Sequence, residues 1–133
     1  MKGKLAAMVV GGTAALGLAL STSPASAASW HYQWFDTHTP TTGWSTKNVG
    51  LGPGGRTVRF DVWCSGGGTY TVGIRKAGFG GADVATTGDV PCNSRWYTVS
   101  YTVNNERDTR WAYYAHLGTH NGKRPLQVAA YWR

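Results

Sequence analysis

Apolar and polar residues alternate with a period of two along most of the chain beyond residue 55, and this pattern predicts half-buried β-strands. The clearest stretch is RTVRFDVWC, residues 56–64, in which the even positions are apolar from Val58 onward. The odd positions, including Arg59 and Trp63, are then expected on the opposite face. The same alternation recurs in TYTVGIRKA (69–77), RWYTVSYTV (95–103), RWAYYAHLG (110–118) and PLQVAAYWR (125–133).

Glycine-rich and polar turns separate these predicted strands. Residues 66–68 are Gly-Gly-Gly, which favours the positive φ angles of a tight turn, so the strands on either side are predicted to form a hairpin. A polar segment at 104–108 and the Asn121-Gly122 dipeptide separate the last three strands. Those three strands are predicted to form a meander.

Residues 29–54 are less regular. SWHYQWFD (29–36) alternates in a way that predicts Trp30, Tyr32 and Trp34 on one face of a strand, but an aromatic arm that docks onto a partner fits the same residues. Short strands are expected within 44–51 and near 84–87, and no segment beyond residue 27 shows helical periodicity. The chain is therefore predicted to be all-β, an antiparallel β-sandwich or jelly-roll-like barrel of about seven or eight short strands.

The first 27 residues have the features of a secretory signal peptide. A positively charged start precedes an apolar run at 5–20, and Ala-Ser-Ala at 25–27 is a small-residue cleavage motif. The run of 16 residues is shorter than a typical membrane span, so no transmembrane segment is expected after cleavage. Residues 28–133 are expected to form a single secreted, extracellular domain.

Cys64 and Cys92 are the two cysteines of the chain, and in an exported protein they are expected to form a disulfide. On the chain-entropy model, a bridge closing a loop of this length stabilises the fold by about 3–4 kcal/mol. The bridge could tie two sheets together or brace a long loop against one sheet.

The formal net charge of the chain is +7, and without residues 1–27 it falls to +5, from 11 basic and six acidic side chains. A moderately basic exported protein suits anionic partners such as cell-wall polymers. The basic residues are scattered and form no stripe, so no nucleic-acid partner is expected.

Candidate catalytic and metal-binding residues form no recognisable pattern. Beyond residue 27 there is no Gly-x-Ser-x-Gly motif, and the six acidic residues lack the context of a catalytic carboxylate pair. His116 and His120 have the spacing of helical zinc ligands but lie on a predicted strand and turn, and His31 and His38 add no ligand motif. The glycine-rich loops precede no helix that could bind a phosphate. We therefore expect a non-catalytic protein without a metal or other cofactor.

Aromatic content is the strongest functional signal. Seven Trp, seven Tyr and three Phe all lie beyond residue 27, and strands with aromatic residues on both faces must leave some of them exposed. Exposed Trp and Tyr beside Arg are typical of surfaces that contact proteins or glycans. The candidate binding residues are Trp30, Tyr32, Trp34, Trp63, Trp96, Tyr114, Tyr131, Arg59 and Arg95.

These features favour a secreted bacterial module that binds a protein partner, as an adaptor, an inhibitor or a subunit of a secreted toxin assembly. Glycan-binding modules usually accompany a catalytic domain, so carbohydrate or cell-envelope binding is the second expectation. A small secreted antimicrobial protein is a further alternative.

Overall fold

The computed structural model describes residues 30–78 and 82–133, and these residues form an antiparallel all-β fold. The predicted signal peptide, residues 1–27, lies outside the described residues. The described strands are β1 (His31–His38), β2 (Gly43–Ser45), β3 (Val49–Gly50), β4 (Thr57–Cys64), β5 (Thr69–Lys76), β6 (Asp83–Thr86), β7 (Val90–Pro91), β8 (Arg95–Thr102), β9 (Ala112–Thr119) and β10 (Leu126–Trp132). A short 3-10 helix, Arg107–Arg110, lies between β8 and β9, where no helix was predicted.

The strands form the two layers of a β-sandwich, which confirms the predicted antiparallel all-β fold class, although the described residues form ten strands and not the seven or eight expected. One sheet has four strands in the order β1-β10-β4-β8. The other has six strands along the path β2-β9-β5-β6, with β3 beside β9 and β7 beside β5. The inward side chains of both sheets pack into one hydrophobic core.

Two predicted connections are wrong. β4 and β5 do not form a hairpin, because β4 pairs with β10 and β8 whereas β5 pairs with strands of the other sheet. β8, β9 and β10 do not form a meander, because β9 lies in the six-stranded sheet and the other two flank β4. Gly66, Gly67 and Gly68 all have positive φ, and they carry the chain from one sheet to the other. A period of two indicates which side chains face inward, but it does not indicate which sheet a strand joins.

The predicted inward positions form the core. Every even residue of β4 from Val58 to Cys64 is buried, and so are Tyr70 of β5 and Leu117 of β9. Tyr97 and Tyr101 lie on the inward side of β8, but they are only partly buried because β8 is at the edge of its sheet.

A β-bulge in β1 overturns the predicted face of Trp34. The register between β1 and β10 shifts between Tyr32 and Trp34, so Gln33 is an extra residue in the strand. The shift places Trp34 opposite Ala130, on the inward side, where its ring centroid lies 6.3 Å from that of the buried Phe60. The described part of the aromatic N-terminal segment is therefore a strand of the sheet and not a detached arm.

Cys64 and Cys92 form the predicted disulfide. Cys64 ends β4, and Cys92 directly follows β7, which pairs with β5 of the other sheet. The bridge therefore connects the two sheets. In residues 30–78 and 82–133, no helix is long and apolar enough to cross a membrane.

Candidate binding face

The outward side of the four-stranded sheet carries most of the predicted binding residues. Side chains alternate along a strand, so the odd residues of β4 share one side with the residues paired to them on β10 and β8. We call this side the aromatic face, and it consists of Trp30, Tyr32, Phe35, Arg59, Asp61, Trp63, Trp96, Thr98 and Tyr131. Tyr32, Phe35 and Trp96 are 60%, 47% and 44% exposed, and they are the exposed large apolar side chains of the described residues.

An ion pair orders Arg59 at one end of the aromatic face. Nε and Nη2 of Arg59 donate to the two carboxylate oxygens of Asp61 at 2.9 and 2.8 Å, and Thr98 Oγ1 donates to the same carboxylate at 2.7 Å. This two-pronged geometry fixes the plane of the guanidinium group. Burial, followed by the negative charge of Asp61, raises the pKa of Tyr131, so the Tyr131 hydroxyl stays protonated at neutral pH.

Two aromatic rings lie close to this guanidinium group. Arg59 Cζ is 4.7 Å from the ring centroid of Tyr131 and 5.0 Å from that of Trp30. Tyr131 also makes an edge contact with Tyr32, with ring centroids 5.8 Å apart, and Arg133 Cζ lies 4.3 Å from the Trp30 centroid. Cation–π attraction orders these rings, so this end of the face is preformed.

Two tryptophans mark the other end of the aromatic face. Trp63 on β4 and Trp96 on β8 are direct cross-strand partners, the first half-buried and the second exposed. The turn before β8 is braced by the disulfide and by a 2.7 Å hydrogen bond from Ser94 N to Cys64 O. Ser94 has a φ of 64°, a left-handed conformation that is uncommon for a residue other than glycine. Trp96 is therefore presented by a constrained turn.

Three predicted binding residues lie outside the aromatic face. Trp34 faces the core, as described above. Tyr114 lies on the outward side of the six-stranded sheet, where its cross-strand partner is Arg75. Arg95 begins β8 at the end of the four-stranded sheet, and it is exposed opposite Cys64. The predicted binding residues therefore do not all share one surface of the sandwich.

Three members of the aromatic face were not predicted. Asp61 could have been identified from the sequence, because it shares the odd positions of RTVRFDVWC with Arg59 and Trp63. The bulge moves Phe35 to the outward side, so a strict alternation in the sequence could not place it there. Thr98 could be recognised only from the pairing of β8 with β4.

The outward side of the six-stranded sheet has a different chemistry. Ser45 Oγ lies 2.9 Å from His116 Nδ1, and Arg75 Nε donates to Asp83 Oδ1 at 2.7 Å. A Cβ atom on Gly73 would lie 2.5 Å from Asp83 Oδ1, so this carboxylate covers the glycine. Burial, followed by the positive charge of Arg75, lowers the pKa of His116, and its imidazole is neutral at neutral pH. Within the described residues no carboxylate hydrogen-bonds to His116.

The histidines are dispersed. His31 stacks on Trp132 with ring centroids 4.1 Å apart, and His38 lies 5.2 Å from the ring centroid of Trp44. Among the residues that the structure describes, no group of three or more His, Cys, Asp or Glu side chains could hold a metal ion.

Comparison with known proteins identifies no relative. No family model matches the chain, and no curated protein and no solved structure matches it.

Proposed function

We propose that the protein is a secreted binding module that engages a protein partner through the aromatic face, as an adaptor, an inhibitor or a subunit of a secreted toxin assembly. The observation that carries the proposal is that exposed Tyr32, Phe35 and Trp96 share one side of the sandwich with an ordered arginine, Arg59. Trp, Tyr and Arg are the residue types that dominate binding energy at protein interfaces.

Energetics favour contact at this face. Covering one large apolar side chain stabilises a complex by about 1.5–3 kcal/mol. Arg59 is already fixed by Asp61 and by two neighbouring rings, so its immobilisation on binding costs little conformational entropy. A face with ordered anchors is suited to a specific partner.

Secretion is supported by two features. The first 27 residues have the pattern of a signal peptide. The Cys64–Cys92 disulfide is a bond typical of oxidising compartments outside the cytoplasm.

Glycan or cell-envelope binding is the second candidate. Asp61, Arg59 and Thr98 lie between aromatic rings, and sugar rings stack on aromatic side chains while their hydroxyls bond to such polar groups. However, the Asp61 carboxylate already accepts two bonds from Arg59 and one from Thr98. Its capacity to accept bonds from sugar hydroxyls is reduced, which is why a protein partner ranks first.

Affinity capture with matched variants tests the proposal. Immobilised wild-type protein, a Tyr32→Ala/Trp96→Ala variant and a Tyr114→Ala control are each exposed to total protein from the culture medium. We expect the wild type and the control to retain a partner in stoichiometric amount and the double variant to retain about a tenth or less, because two anchors are lost only from the aromatic face. Melting temperatures verify that all three proteins are folded.

Two outcomes would contradict the proposal. Equal retention by all three proteins would exclude the aromatic face as the contact surface. Retention on insoluble chitin, cellulose or peptidoglycan, with release by the soluble sugar and loss in the double variant, would favour the glycan candidate instead.

A further inference from the structure

The two edges of the four-stranded sheet differ in how far they are protected. Within the described residues, β1 and β8 are each paired with a neighbour on one side only. The unpaired N–H and C=O groups of such an edge can bond to another chain, and natural sheets usually block them. The presence or absence of blocking features therefore indicates which edge is available to pair with another chain.

The β1 edge is blocked in two ways. The bulge at Gln33 interrupts the strand, as its register shift shows. Farther along, Asp36 Oδ1 accepts a 2.9 Å hydrogen bond from the backbone N–H of Thr37. A bulge and a charged side chain on the edge are both features that prevent strand addition.

The β8 edge has no bulge, and its one charged residue, Arg95, lies at the very start of the strand. β8 pairs with β4 from Arg95 to Thr102 without a register shift, and it contains neither proline nor lysine. Val103 N donates to Arg56 O at 2.8 Å, so the odd residues of β8 direct their backbone groups toward β4 and the even residues direct theirs away. The even residues are Trp96, Thr98, Ser100 and Thr102, and within residues 30–78 and 82–133 their backbone groups bond to no other strand.

We propose that β8 is the docking edge, where an extended segment of the partner protein adds as a fifth strand to the four-stranded sheet. This inference rests on the proposed function and defines the partner's contact as a β-strand. The added strand would lie beside Trp96, so its outward side chains would continue the aromatic face. Main-chain hydrogen bonds supply affinity in this mode of recognition, and the side chains supply specificity.

Charge indicates the composition of the added strand. Arg95 is exposed at the start of β8, and within the described residues it forms no ion pair. An acidic residue in the partner strand would pair with Arg95, and the net charge of +5 that remains without residues 1–27 favours an acidic partner. A second copy of the chain fits less well, because β8 contains no Asp or Glu and both copies carry the same excess of positive charge.

Proline substitutions on the two edges provide a matched test. Ser100→Pro removes a backbone N–H that points away from β4, and proline is tolerated on an edge strand. Thr37→Pro makes the equivalent change on the blocked β1 edge and serves as the control. The wild type and both variants are immobilised and exposed to total protein from the culture medium, after their melting temperatures have shown that they are folded.

We expect Ser100→Pro to retain the captured partner about tenfold less than the wild type, because a main-chain hydrogen bond and the close approach of a strand are both lost. Thr37→Pro should retain the wild-type amount. In the captured complex, hydrogen exchange should slow at the amides of Trp96, Thr98, Ser100 and Thr102, with no change at the odd residues already bonded to β4.

The outcomes separate this inference from the proposed function. A partner that is lost with Tyr32→Ala/Trp96→Ala but retained by Ser100→Pro would overturn strand addition and leave the aromatic face as the contact. Capture of the chain itself would overturn the acidic partner in favour of edge-to-edge pairing of two copies. Capture of no protein by the wild type would overturn both proposals.

Discussion

The two outward sides of the sandwich have similar backbones but different chemistry. On the four-stranded sheet, one ion pair shares the outward side with large rings, three of which are exposed. On the six-stranded sheet, polar side chains bond to one another, and the Asp83 carboxylate lies over Gly73. Both sides are equally compatible with the fold, so the concentration of rings on one side is not required by the core. It supports the proposal that this side is the contact surface.

The largest expected effect concerns the covalent link between the two sheets. Replacing both Cys64 and Cys92 with Ala should lower the free energy of unfolding by about 3–4 kcal/mol, because the unfolded chain gains freedom over a sequence separation of 28 residues. Denaturant titration measures this change. Because the bridge braces the turn before Trp96, binding through the aromatic face should also weaken. The surroundings of Tyr114, on the other side of the sandwich, should not change. A loss below about 1 kcal/mol would show that the sheets are held together without the bridge.

Paired arginine variants compare the two sides directly. Arg59→Ala should lower the free energy of unfolding by about 1–2 kcal/mol, because it removes a shielded two-pronged ion pair and two cation–π contacts. Arg75→Ala breaks the more exposed pair with Asp83 and should cost less than about 1 kcal/mol. Partner capture should be lost only with Arg59→Ala. Equal losses of unfolding free energy and equal partner capture by the two variants would show that the two sides do not differ in stability or in binding.

The smallest expected effect is a pH dependence that originates on the six-stranded sheet. The pKa of His116 is lowered in the folded protein, mainly by burial, so the unfolded chain binds this proton more readily. The free energy of unfolding should therefore fall as the pH falls through the ordinary histidine range near about 6.5, and it should recover above that range. Denaturant titrations between about pH 5 and pH 8 should show that the free energy of unfolding depends less steeply on pH for His116→Gln than for the wild type. The same pH dependence in both proteins would show that it does not originate from His116.

Alternation in the sequence predicted the inward and outward residues of β4, β5, β9 and β10, because each of these strands has one side in the core. It did not predict strand order. The three glycines at 66–68 suit a hairpin and a crossing between sheets equally well, and the choice depends on tertiary pairing.

The candidate site was predicted in part for the same reason. Arg59 and Trp63 lie on the outward side of a regular strand, and the pattern placed them correctly. Trp34 was placed on the wrong side because a single extra residue, Gln33, reverses the alternation after it. Tyr114 was included because exposure alone does not indicate which of two sheets a residue belongs to.

The asymmetry between β1 and β8 has a consequence for aggregation. Growth of a fibril by edge-to-edge stacking requires each molecule to offer two templating edges, one for the molecule before it and one for the molecule after it. In the four-stranded sheet, the displaced register at Gln33 and the carboxylate of Asp36 remove one of these edges. If β8 accepts a strand, two chains at most would pair through this sheet, and we expect no polymerisation through it at high protein concentration.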